Sequence, residues 1–136
     1  MPNLKYKDTI LIEIPKITIE FAQIANHLDS AWKQYSSREY DKVLTDCRKA
    51  LEALKTDLRN RDFVRQTMEE KEPRIDWEKI TGNKDTGEII GIIFQKLWAF
   101  DTPGAHTGKA INREDANFAL MSTHAIIDLA IKKIAS

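Results

Sequence analysis

Four stretches of the chain repeat apolar residues at intervals of three and four, the spacing that lines one side of an α-helix. The first is Phe21, Ile24, Ala25, Leu28, Ala31, Trp32 and Tyr35, and the second is Tyr40, Val43, Leu44, Cys47, Ala50 or Leu51, Leu54 and Leu58. Ile89, Ile90, Ile93, Phe94, Leu97 and Trp98 mark a third. A fourth runs through Ala116, Ala119, Leu120, Thr123, Ile126, Ile127, Ala130, Ile131 and Ile134, rich in alanines that let helices approach closely. Each stripe needs a partner to cover it, and the short link at Ser36–Glu39 forces the first two helices to lie antiparallel. The expected architecture is all-α, an antiparallel four-helix bundle over residues 21–136. With 136 residues and no internal repeat, the chain reads as one domain, 1–136.

Local signals place the helix ends. Ser36 stands three residues before Glu39, the spacing of a capping box, and Asp85 and Asn112 precede Glu88 and Asp115 in the same way. Between Arg59 and Asp85 the periodicity weakens. Phe63, Val64 and Met68 predict a short helix there, and Ile75, Trp77 and Ile80 a single turn before Gly82. Residues 1–20 read instead as an extended arm or edge strand, because Ile10, Ile12 and Ile14 alternate with other residues and Pro15 removes a ladder donor. Such an arm is either laid over the bundle or paired with a second copy. The third stretch is the most apolar, and bundle core is preferred for it over an interface helix.

Charge and cysteine content narrow the function classes. The chain carries 21 Lys and Arg against 21 Asp and Glu, so no global field favours nucleic acid or an anionic membrane. The basic residues Arg48, Lys49, Lys55, Arg59 and Arg61 gather along the second helix, but Asp46, Glu52, Asp57 and Asp62 interleave with them and a solvated face is expected. The single cysteine, Cys47, allows no intrachain disulfide and no paired-cysteine zinc pattern. The start of the sequence lacks the apolar run of a signal peptide, and Gly91 interrupts the longest apolar stretch. A cytoplasmic protein without membrane contact is expected.

The loop before the last helix, Asp101-Thr-Pro-Gly-Ala-His-Thr-Gly-Lys-Ala-Ile111, holds the residues best placed for chemistry. It is not a Walker A loop, since Gly104 and Gly108 are one residue too close and Ala110 stands where Ser or Thr is needed. His106 is flanked by glycines and precedes a helix N-terminus, whose dipole lowers an imidazole pKa and attracts anions. Thr107, Lys109 and Arg113 are the neighbours that would hold a phosphate or another ligand. His27 reads as a surface residue and His124 as a core histidine. No histidine has another ligand type at metal-site spacing on its own element, so neither a metal nor a cofactor is expected.

The order of Ala31-Trp-Lys-Gln-Tyr-Ser-Ser-Arg-Glu-Tyr40, Cys47-Arg-Lys-Ala-Leu-Glu-Ala-Leu54, Gly104-Ala-His-Thr-Gly108 and a long terminal helix resembles HEPN-type domains. It is most similar to the helical C-terminal domains of prokaryotic abortive-infection proteins. The resemblance implies a HEPN-like bundle, a homodimer, and a place in a defence or toxin–antitoxin system with protein or RNA partners. Catalytic members of that family cut RNA with an arginine separated from a histidine by four to six residues. With His106 as that histidine, the arginine would stand at 99, 100 or 101, where this chain has Ala99, Phe100 and Asp101. The expectation is therefore a non-catalytic interaction or dimerisation module. The alternatives are a metal-independent ribonuclease using His106, with Lys109 or Arg113 stabilising phosphate, and a weak nucleic-acid or nucleotide binding domain.

Overall fold

The computed structural model describes residues 19–66, 72–102 and 110–135. Among these residues are four long helices, one short helix and one two-stranded sheet. In chain order they are α1 (Ile19–Ser36), α2 (Tyr40–Asn60), β1 (Val64–Arg65), β2 (Arg74–Ile75), α3 (Trp77–Thr81), α4 (Lys84–Asp101) and α5 (Arg113–Ala135). The fold is mostly helical, and its two longest helices, α2 and α5, are continuous and pack on each other.

α2 is the central element, touching α1, α4 and α5. Its inner stripe includes Val43, Cys47, Ala50, Leu51, Leu54 and Leu58, each with 0% of its surface exposed, so the predicted face is the buried one. The core has two adjoining parts. Around Ile24, Leu51, Leu54, Leu58, Ile127 and Ile131 the side chains are large, whereas the second part combines the small Ala31, Val43, Cys47, Ala116 and Ala119 with Leu44 and Leu120. Small residues on three helices bring the backbones close in that part of the core.

Several boundaries differ from the sequence reading. Ile19 and Glu20 already belong to α1, so the extended arm expected over 1–20 cannot include them, and its remainder lies outside the described residues. Ser36 is the last residue of α1 and no capping box forms: Glu39 precedes α2 without a side-chain cap. Arg38 instead takes a left-handed φ of 62°, and the Ser37 N–H donates to the Lys33 carbonyl at 3.0 Å, so the chain reverses by winding α1 closed. The start of α4 is capped by Asn83, whose side chain accepts from the Thr86 N–H at 2.9 Å, and Asp85 lies inside the helix. At α5 the expected cap does form, with Asn112 Oδ1 accepting from the Asp115 N–H at 2.8 Å.

The segment after α2 departs most. Val64 is not helical but pairs antiparallel with Ile75, and Met68 lies outside the described residues. The Asp76 N–H donates to the Phe63 carbonyl at 2.7 Å, which extends this small hairpin and delivers Asp76 as the N-cap of α3. Gly82, at φ 73°, ends α3 in the left-handed conformation that glycine adopts without strain. The chain then turns at once into α4, whose backbone touches that of α3.

Candidate functional site

Of the four residues singled out in and after the loop, His106, Thr107 and Lys109 lie outside the described residues. Arg113 is the first residue of α5 and is exposed. Its Nε donates to the Tyr35 hydroxyl at 3.2 Å, and that bond holds the guanidinium proton more firmly still. Tyr35 is fixed in turn by ring contacts with Trp32 at 6.3 Å and Tyr40 at 5.9 Å. These elements surround a shallow hollow of about 860 Å³ in which Arg113 faces Lys33 and Ser36. The first turn of α5 already carries Asn112 as cap and Glu114 and Asp115 as carboxylates, which answer its dipole from within the chain.

The three positions where the resemblance calls for an arginine are occupied differently. Ala99 is exposed, Phe100 stacks edge-on with Phe118 at 5.5 Å, and Asp101 has 0% exposure. Asp101 continues the buried stripe of Ile90, Phe94 and Leu97 by one further helical step. Its Oδ2 accepts from the Thr123 hydroxyl of α5 at 2.7 Å, and its Oδ1 is buried without a hydrogen-bond partner. Burial pushes the carboxyl up to about 7, against the opposing pull of the Thr123 hydroxyl and the Arg48 guanidinium.

Arg48 belongs to the same knot. Its guanidinium lies 3.9 Å from the centre of the Trp98 ring, and its Nη1 donates to the Thr102 hydroxyl. Thr102 donates in turn to the Trp98 carbonyl at 2.6 Å, tying the last turn of α4 to α2. Cys47 sits beside Asp101 and Thr123 with no exposed surface. Burial, and then the Asp101 charge, raise the Cys47 thiol well above its ordinary value, so it is not an activated nucleophile. Asp46 is also drawn inward, accepting from Ser30 at 2.8 Å, although its sequence position read as surface. His124 is buried as expected, and His27 is half-buried rather than free on the surface. With Cys47, Asp101 and Thr123 closed to solvent, a substrate cannot touch them, and the knot serves to lock α2, α4 and α5 together.

The basic edge of α2 is largely used up in packing. Arg48 and Lys55 both lie over Trp98, at 3.9 and 5.3 Å from the ring centre. Arg61 pairs with the buried Asp57 at 2.9 Å and covers Phe21 at 4.7 Å. Lys49 and Arg59 are left projecting outward. Among the described residues there is no group of three or more His, Cys, Asp or Glu that could hold a metal ion, and no helix long and apolar enough to cross a membrane.

The outer surface of α4 is the feature that the core reading did not foresee. Ile90, Phe94 and Leu97 face inward, but Ile89 and Ile92 are each 59% exposed and Ile93 is 50% exposed. Phe118, 55% exposed, stands at the Phe100 end of the same surface. Beside it lies an open groove of about 840 Å³ between α3, α4 and the hairpin, floored by Trp77, Phe94 and Trp98. The rings of that floor follow one another at 5.6 and 5.7 Å, giving a rigid wall behind the exposed isoleucines. No family model, curated protein or solved structure matches this chain.

Proposed function

We propose that the chain acts by association rather than catalysis, as a HEPN-like four-helix module that pairs with a second copy of itself and serves a protein partner. The observation that carries this reading is the exposure of Ile89, Ile92 and Ile93 on one helix, while the other large aliphatic side chains among the described residues are mostly covered. Full burial of such a side chain contributes about 1.5–3 kcal/mol. A cluster of three left open on a rigid helix is the kind of patch that marks an association surface. The occupants of positions 99–101 favour the same reading: a carboxyl closed to solvent cannot replace a guanidinium that must reach a phosphorane. The defence or toxin–antitoxin setting rests on the resemblance to HEPN-type domains, and a cytoplasmic location goes with it.

Sedimentation equilibrium over a wide concentration range is the direct test. A reversible dimer is expected, and a monomer at every concentration would remove the proposal. RNA cleavage that disappears in His106→Ala would instead establish the nuclease reading, so that assay belongs beside the first.

A further inference from the structure

We infer that α4 forms an antiparallel seam with the α4 of a second copy, about a twofold axis passing between Ile90 and Gly91. The inference rests on the self-association proposed above and assigns its geometry. Along α4, Asp85, Ile89, Ile92 and Lys96 follow one another at intervals of four, three and four. That is the seam spacing of a coiled coil, and all four side chains are exposed. The arrangement is symmetric in position about its midpoint and opposite in charge.

An isologous contact places the same patch on both subunits. In the antiparallel arrangement Ile89 meets Ile92 of the partner subunit, and Asp85 meets Lys96 of the partner subunit, each pair occurring twice. A parallel arrangement would set Asp85 beside its own copy and Lys96 beside its own copy, a repulsive contact at each end. Antiparallel packing also opposes the two helix dipoles. Ile93 covers the flank of the central layer, and the Phe100–Phe118 pair stands beyond Lys96 at the end of the seam. An 18-residue helix spans on the order of 27 Å. The contact therefore falls at the small end of specific interfaces, and a weak, reversible dimer is the expected state.

The test is a charge-reversal cycle on the full chain, read by sedimentation equilibrium, with circular dichroism confirming that each variant keeps its helices. Asp85→Lys and Lys96→Glu should each weaken dimerisation by about tenfold or more, and the double variant should recover most of that loss. Ile89→Glu should abolish the dimer while leaving the monomer folded, because the side chain is exposed in it. A dimer that withstands Ile89→Glu would overturn the seam while leaving self-association standing. Dimerisation left unchanged by both single charge variants would overturn the antiparallel sense, because in a parallel pair each reversal only exchanges one like-charge contact for another. A wild-type monomer whose α4 is covered by its own residues 1–18 would overturn both proposals.

Discussion

Gly87→Ala is expected to destabilise the fold by about 3 kcal/mol, even though alanine is the better helix former. Gly87 lies inside α4 where α3 crosses it, and a Cβ there would stand 2.7 Å from the Glu78 Cα, 2.7 Å from the Glu78 nitrogen and 2.9 Å from the Trp77 carbonyl carbon. All three atoms are backbone, so no rotamer relieves the clash. Either α3 moves away or α4 bends, and both responses pull Trp77 from its contact with Phe94 at 5.6 Å. In an unconstrained helix the same substitution would gain about 1 kcal/mol. Gly91→Ala provides the control, since its Cβ meets only Trp77 Cδ1 at 3.4 Å, the edge of a ring in ordinary contact. Gly91→Ala should leave stability unchanged or raise it slightly. Urea unfolding followed by tryptophan fluorescence separates the two variants. Equal midpoints for Gly87→Ala and the wild type would mean that α3 does not approach α4 as closely as described.

The contrast between these glycines shows why part of the fold was legible in the sequence and part was not. Periodicity reports which side of a helix is apolar, and for α2 and α5 that side is unique, so Val43 to Leu58 and Ala116 to Ile131 were readable as core. In α4, Ile89, Ile90, Ile92 and Ile93 fall on neighbouring sectors of the helix, and the pattern cannot choose which of them is buried. The choice is made by Gly87, which lets α3 approach and so turns Ile90 inward and the other three outward. The hairpin was hidden for another reason. Strands of two residues carry no alternation, and Val64 finds Ile75 only because the chain returns.

The same holds for the helix caps and the polar knot. Asn83 and Asp85 are both capable N-caps, and only the backbone path selects Asn83. Asp101 did have a signal, as the continuation of Phe94 and Leu97, but a carboxylate on an apolar stripe reads as a helix end unless its partner Thr123 is known. Of the loop residues chosen for chemistry, only Arg113 is among the described ones, and it is positioned by Tyr35, a contact across 78 residues that spacing does not reveal.

Asp101 also makes stability depend on pH, in a direction opposite to that of carboxylates held by ion pairs. Its ionisation lies at about 7 in the folded chain against 3.8 for an unperturbed aspartate. Below about pH 4 the group is protonated in both states and costs nothing. Between the two values the folded state holds a proton that the unfolded state has released, so stability falls as pH rises through this window. Above about pH 7 both states are ionised and the full cost of a buried charge is present, on the order of 4 kcal/mol. Arg48 and Thr123 limit that cost without removing it, because Oδ1 has no hydrogen-bond partner. Asp101→Asn keeps an oxygen for the Thr123 hydroxyl and cannot ionise. The free-energy difference between variant and wild type should therefore move in favour of the variant by several kcal/mol from acid to neutral pH, while groups common to both cancel. Thr123→Val, which deletes the donor that favours the anion, should extend the sloping window to higher pH. Urea unfolding of the three proteins at a series of pH values measures this. A constant difference between Asp101→Asn and wild type across the range would show that the carboxyl is solvated and that α4 does not end inside the core.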